Sequence, residues 1–164
     1  MSSSFLSARA VQWRICRFDE LSLRELQSIY MARQQVFSVE QNCAYLDADG
    51  LDEQAWHLAA WSTDHRVPLA YARLLAPGVK YAEPSIGRVI TTAAARGTGL
   101  GRELVRRAIA LSREVYPALG IRISAQSRLE RFYEEMGFAM IGDRYMEDGI
   151  PHTEMVRAGE PIAR

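Results

Sequence analysis

The stretch Ile86-Gly87-Arg88-Val89-Ile90-Thr91-Thr92, followed by Arg96-Gly97-Thr98-Gly99-Leu100-Gly101, decides how the chain is read. It predicts a strand, a tight loop and then a helix, because Leu100, Leu104, Ala108, Leu111 and Val115 recur at helical spacing from the glycines onward. Three glycines at alternate positions admit positive φ and let a ligand approach the backbone with no side chain in the way. The first turn of the helix adds unpaired N–H groups and a partial positive charge. Such a loop aims several donors at an anion, most naturally a phosphate. For the hexapeptide taken alone, a glycine-rich turn with no ligand is the other reading.

Spacing separates the phosphate loops that compete here. A P-loop ends in Gly-Lys-Ser/Thr, and this one ends Gly101-Arg102-Glu103. A dinucleotide fingerprint needs glycine at the place of Arg102 and an acidic residue closing the next strand, which runs Ile121-Arg122-Ile123-Ser124-Ala125. What fits is Arg/Gln-x-x-Gly-x-Gly/Ala after a strand, filled by Arg96, Gly99 and Gly101. This pattern resembles the pyrophosphate loop of the GNAT acetyltransferase superfamily. The resemblance implies acetyl-CoA as acyl-donor substrate, held by Val89, Ile90, Thr91, Arg96, Gly97, Thr98, Gly99 and Gly101, with Arg102 and Gln126 beside them.

Composition narrows the class. At 164 residues, 48% hydrophobic and 24% charged, the chain has the size and make-up of one folded domain. We expect a loose end over residues 1–10, a single domain over 11–158 and a short tail over 159–164. Twenty basic and twenty acidic side chains leave no general basic field to hold nucleic acid. Two cysteines are too few for a disulfide scaffold, and no apolar stretch approaches the roughly 20 residues of a membrane span. Met1-Ser2-Ser3-Ser4-Phe5 lacks the charged and apolar regions of a secretory signal, so cytoplasm is the expected location.

Elsewhere the pattern is legible element by element. Val11-Gln12-Trp13-Arg14-Ile15 alternates as a half-buried strand does. Ser22-Leu23-Arg24-Glu25 has the form of a capping box, and Leu26, Ile29, Tyr30, Arg33 and Phe37 follow at helical spacing, which predicts a helix over 23–37. Residues 39–52 are polar and turn-rich, a loop. The segments 56–62 and 69–76 predict an antiparallel pair across the turn at Asp64-His65-Arg66. After the long helix, which stops before Pro117, come a strand over 121–125, a helix over 129–136, and strands over 138–145 and 152–156 around Glu147-Asp148-Gly149. The order β-α-β-β-β-α-β-α-β-β predicts an α/β fold, a three-layer α/β/α sandwich around a mixed, mostly antiparallel sheet. The same order resembles the GNAT fold over nearly the whole chain, which implies that the parallel pair is splayed.

A second motif joins the first. Gln126-Ser127-Arg128-Leu129-Glu130-Arg131-Phe132-Tyr133-Glu134-Glu135-Met136-Gly137-Phe138 is similar to the superfamily's Asn-x-x-Ala-x-x-x-Tyr-x-x-x-Gly-Phe segment. The resemblance implies that Tyr133 protonates the departing thiolate of coenzyme A. Gln126 and Leu129 stand where Asn and Ala are usual, and Gln makes the same amide hydrogen bonds from a longer stem. Read structurally, Tyr133 is equally a helix residue packing on the sheet with its hydroxyl at the surface.

The segments 36–45, Asp49-Gly50-Leu51-Asp52, His57-Leu58, Gly87-Arg88-Val89 and Gly149-Ile150-Pro151-His152 together resemble the ElaA-like subgroup. That resemblance names a reaction, acetyl transfer to a small-molecule or peptide amine, and leaves the acceptor open. Association into a homodimer is compatible with it. We expect Glu40, His57 and His152 in one polar pocket over the thioester, with Gln41 beside it and Arg88 at its floor. A histidine near its ordinary pKa of about 6.5 suits proton acceptance at neutral pH. Structural roles compete: either histidine holds a loop carbonyl, or Arg88 is tied to Asp49 or Asp52. Cys43, His57 and His152 lack ligand spacing, and Asp47-Ala48-Asp49-Gly50 fails as a calcium loop, so no metal is expected. Direct attack by the amine is the expected mechanism. Nucleophilic catalysis by Cys43 is the runner-up, and a non-catalytic acyl-CoA sensor or scaffold is the alternative from another class.

Overall fold

The computed structural model describes residues 11–162, so the expected loose end over 1–10 lies outside the described residues. Seven strands and three helices follow in the expected order: β1 (Gln12–Arg17), α1 (Leu23–Gln34), β2 (Trp56–Trp61), β3 (Ala70–Leu75), β4 (Ser85–Thr91), α2 (Leu100–Val115), β5 (Ile121–Gln126), α3 (Glu130–Glu134), β6 (Phe138–Glu147) and β7 (Ile150–Arg157). One sheet takes the order β1-β2-β3-β4-β5-β7-β6, antiparallel except between β4 and β5.

The period-2 pattern of the central strands assigns each side chain to a layer. Leu58, Ala60, Ala70, Ala72 and Leu74 face one way, where Leu104, Val105, Ala108 and Leu111 of α2 cover them together with Tyr133 and Phe138. Ala59 and Tyr71 face the other way, against Ile29, Ala32 and Val36 of α1 and its continuation. Alanines on both faces of β2, and on the α2 face of β3, leave little side-chain bulk between helix and sheet. Hence α2 and α3 form one layer, the sheet a second and α1 a third.

β4 breaks this parity. Tyr71 pairs with Ile90 and Arg73 with Gly87, so Ala72 alone stands opposite both Arg88 and Val89. This bulge puts Arg88 at φ +52 and turns the strand over. Ile86 accordingly packs in the α2 layer and Ile90 in the α1 layer, although both have even numbers. Towards β5 the strand is held at one register position, Ser85 with Arg122. Beyond it the parallel neighbours diverge, as the resemblance implied.

Three local features aim the site. The capping box is present, with Glu25 N–H donating to Ser22 Oγ at 3.0 Å and Ser22 N–H to Glu25 Oε1 at 3.1 Å. α1 is shorter than the expected 23–37, because the chain widens after Gln34 into a π-helical turn, Gln35–Glu40. Such a turn re-aims the residues that follow it, here Glu40 and Gln41. α2 begins at Gly99, whose φ of +84 is left-handed and suits glycine.

Candidate active site

Where β4 and β5 part, a cavity of about 1040 Å³ opens into the sheet. Val89, Ile90, Thr91, Arg96, Gly101 and Gln126, which the sequence led us to expect on the donor side, all line it. Gly97, Thr98 and Gly99 form the turn behind this wall rather than the wall itself. Gly97 has φ +76, and Thr98 Oγ1–H donates to Ala95 O. Arg96 is committed within the protein: it donates to Thr91 O at 3.1 Å and pairs with Glu40. Arg102 is not on the cavity. It pairs with Glu135 at 2.5 Å and lies over the Phe132 ring, so its expected use beside the donor is not supported. Arg128 lines the cavity in its stead, donating through Nε to Gln126 Oε1 at 3.1 Å.

Tyr133 stands on α3 with its ring edge-on to Phe132 and Phe138, at centroid distances of 5.0 and 5.7 Å. The residue is 5% exposed yet lines the cavity. Burial pushes its pKa well above that of an ordinary tyrosine, and no hydrogen bond from a protein group counters this. The phenol therefore stays protonated and free to donate. Tyr133 thus packs in the layer over the sheet as the structural reading expects, but it is buried rather than at the surface, and it is among the residues that line the cavity.

On the acceptor side the structure brings Glu40, Gln41, Arg88 and His152 to the cavity and leaves His57 out. Glu40 and Gln41 stand at the end of the π-helical turn. One is tied to Arg96 behind β4, the other accepts from Gln126 Nε2 of β5 at 3.0 Å. His152 sits on β7 with Nδ1–H donating to Ile150 O at 2.8 Å. That bond makes Nδ1 a donor, so in a neutral ring the lone pair would be on Nε2, which lies 3.5 Å from Glu147 Oε2.

His57 corrects the expectation. It is 1% exposed inside β2, with Nε2–H donating to Asp52 O at 2.8 Å and Nδ1 accepting from Tyr71 O–H at 2.7 Å. Both nitrogens are used, and burial lowers its pKa. Since the folded value lies below the unfolded one, the unfolded chain binds the proton first. Stability should be full above about pH 6.5 and fall below it. Urea midpoints of the parent and His57→Gln compared from pH 8 to 5 check this: the parent should lose more than the variant, and parallel curves would refute it.

Arg88 likewise has a structural commitment. It pairs with Asp47 at 2.8 Å and with Asp49 at 3.3 Å; of its two expected partners only Asp49 is found. These contacts belong to a larger set. Arg33 reaches Asp47 and Asp52 at 2.9 and 2.8 Å, and Arg73 reaches Asp49 and Asp52 at 2.6 and 3.1 Å. Three arginines and three aspartates thus neutralise one another beneath the loop that carries Tyr45, with Arg33 fully buried. The aspartates come from the loop and the arginines from α1, β3 and β4, so the network fixes the loop over the sheet.

Sequence reasoning missed Lys80, Ser124, Glu147 and Asp148, which also line the acceptor side. Ser124 alternates on β5 opposite the buried positions Ile123 and Ala125 and was legible as cavity-facing. Glu147 and Asp148 read as turn residues; that the turn reaches the loop at Cys43, whose Sγ–H donates to Asp148 O at 3.2 Å, is a long-range contact. Among the described residues no three His, Cys, Asp or Glu side chains are grouped to hold a metal ion. No helix among them is long and apolar enough to cross a membrane.

Comparison with known proteins agrees with this geometry. A family model described as an acetyltransferase (GNAT) domain matches residues 30–158. A UPF0039 protein of Synechocystis is 47% identical over 146 residues, which span 89% of this chain and 94% of that protein. The crystal structure of an acyl-CoA N-acyltransferase from Pseudomonas aeruginosa superposes with a TM-score of 0.85 at 38% identity, covering 91% of this chain and all of that one. The crystal structure of Escherichia coli ElaA does so at 0.83 and 35%, covering 90% and 99%. With its splayed pair, glycine loop and cavity-facing tyrosine, the chain belongs to the GNAT acetyltransferase family and, within it, is ElaA-like.

Proposed function

We propose that the chain moves an acetyl group from acetyl-CoA to a primary amine by direct attack. The observation that carries this reading is the meeting, in one cavity, of the unpaired stretch of β4, the Gly101 end of the phosphate loop and a buried phenol without a protein hydrogen bond. An N–H of β4 beyond the bulge polarises the thioester oxygen. The amine lone pair attacks the carbonyl carbon, the C–S bond breaks, and Tyr133 gives its proton to the sulfur. His152 Nε2 takes the proton from the amine, with Glu147 beside it to stabilise the imidazolium. Glu40, engaged by Arg96, acts by holding the loop rather than as the base. Cys43 Sγ–H is used by Asp148 O and has no histidine partner, which favours direct attack over a covalent route. Two unpaired thiols accord with a cytoplasmic location.

Gly99→Val tests the donor site. A Cβ there meets no protein atom within 4 Å, so no neighbour is crowded. The left-handed backbone costs the new residue about 1–2 kcal/mol, and a branched side chain stands beside the N–H groups a pyrophosphate needs. Calorimetry should record at least about a tenfold loss of acetyl-CoA affinity in a protein that stays folded. Unchanged affinity would remove the phosphate-loop reading. Thiol release in a screen of amines then separates turnover from a mere sensor or scaffold, which binds acetyl-CoA and releases none.

A further inference from the structure

The charges on the acceptor side are not all spoken for. Four basic side chains line the cavity: Lys80, Arg88, Arg96 and Arg128. Arg88 is paired with Asp47 and Asp49, and Arg96 with Glu40. Arg128 donates to Gln126 at the donor side. Neither Arg128 nor Lys80, in the connection before β4, has a carboxylate within ion-pair distance among the described residues; Arg128 is held by the Gln126 amide at the other side, whereas the Lys80 ammonium has only the Tyr81 ring, at 5.3 Å. The Lys80 side chain is exposed; the protein mass on the cavity side lowers its pKa, and Glu147 is the strongest counter-charge that opposes this from farther away. An exposed ammonium at a cavity mouth, with only an aromatic ring beside it, gains from an anionic ligand.

The opposite sign is present at the hairpin tip. Glu147 takes only long contacts, 3.4 Å from Ser124 Oγ and 3.5 Å from His152 Nε2, and Asp148 has no ion pair among the described residues. These carboxylates suit an ammonium that must be held before it loses its proton to His152. A plain alkylamine satisfies them and leaves Lys80 unmet. A diamine brings a second cation towards Lys80 and Arg88. A ligand carrying both an ammonium and a carboxylate meets both signs of charge that line the pocket.

We propose that the acceptor is an amine that also bears a carboxylate, of the free amino acid class, and that Lys80 is the residue that selects it. The proposal rests on the acyl transfer proposed above and adds the identity of the second substrate. The amino nitrogen forms the new C–N bond, the thioester C–S bond breaks, and the carboxylate takes no part in the reaction. Lys80 is a specificity determinant that touches the acceptor away from the reacting atoms.

The test measures thiol release from acetyl-CoA with matched pairs: L-leucine and isoamylamine, L-tyrosine and tyramine, L-lysine and cadaverine. Each pair is run with the parent, Lys80→Gln and Lys80→Glu. Amino acids have less basic amines, so the quantity to read is the ratio of kcat/KM within a pair, and its change between parent and variant cancels that intrinsic difference. At least one pair should favour the amino acid in the parent. That ratio should fall at least about tenfold in Lys80→Gln and further in Lys80→Glu, as loss and then reversal of a charge-assisted contact require. Acetyl-CoA affinity, measured by calorimetry, should stay at the parental value in both variants. A ratio unaffected by Lys80, or turnover confined to the amines, overturns the proposal. So does binding of acetyl-CoA with no turnover of any pair. Failure of acetyl-CoA to bind at all would instead remove the acyl-transfer reading on which the proposal stands.

Discussion

Tyr133→Phe is expected to lower kcat by about 10²- to 10⁴-fold while acetyl-CoA binds as before, the range for loss of one positioned acid. The substitution keeps the ring that packs between Phe132 and Phe138 and removes only the hydroxyl. Because no protein group hydrogen-bonds that hydroxyl, the fold loses nothing and stability should hold or rise slightly. An effect on kcat therefore reports on chemistry. The raised pKa adds a second expectation: the rate should show no alkaline limb from loss of this proton through the ordinary tyrosine range near pH 10. A variant as fast as the parent would exclude Tyr133 as the acid and leave water to protonate the thiolate.

Arg33→Met should cost about 3–5 kcal/mol of folding stability, the toll of breaking a buried ion pair from one side. Arg33 is fully buried and donates to Asp47 Oδ2, Asp52 Oδ1 and the Asp47 carbonyl, all at 2.9 Å or less. Its removal leaves Asp52 to Arg73 and the Tyr30 hydroxyl and Asp47 to Arg88 and the Tyr45 hydroxyl, each carboxylate short of a charged donor. In thermal melts this corresponds to a drop of roughly 10 °C for a chain of this size. A loss below about 1 kcal/mol would mean that the network is already half-solvated. Neighbouring arginines hold the carboxyl groups of Asp49 and Asp52 below the usual carboxylate range. For such groups the unfolded chain binds protons first on acidification, so their stabilising share is present above about pH 4 and disappears below it. The loop carrying Tyr45 and Asp49 should be the first part of the acceptor side to loosen.

The two sides of the site differ in how much the sequence discloses. The donor side was legible because its chemistry is local: glycines at fixed intervals, a helix start and a tyrosine four residues before Gly137 all act through backbone geometry within one stretch. The fold was legible for a similar reason, since alternation in β2 and β3 and the helical stripe of α2 are short-range patterns. His57 shows where the method stops. A histidine beside an aspartate-rich loop reads the same whether its ring faces a cleft or the Tyr71 hydroxyl, and the choice depends on which face of β2 the odd-numbered residues take. Arg88 was placed at the cavity, but what aims it was not legible, because the bulge is a mismatch between β3 and β4 and exists in neither strand alone. Glu40 was placed at the site, but its partner Arg96 lies 56 residues away.

Where β4 parts from β5, the sheet has two open edges in its interior, each with backbone donors and acceptors that no neighbouring strand takes up. An exposed edge of that kind invites pairing with a strand from another chain. Here the invitation is withdrawn by cover: the loop at Cys43 meets the hairpin tip at Asp148 over the acceptor end, and Gln41 meets Gln126 between the two. Charged side chains, among them Lys80, Arg88 and Glu147, line the opening that is left. The contacts that shape the pocket therefore also act as a guard against strand exchange, and a variant that loosens them exposes a template for aggregation as well as an enlarged site.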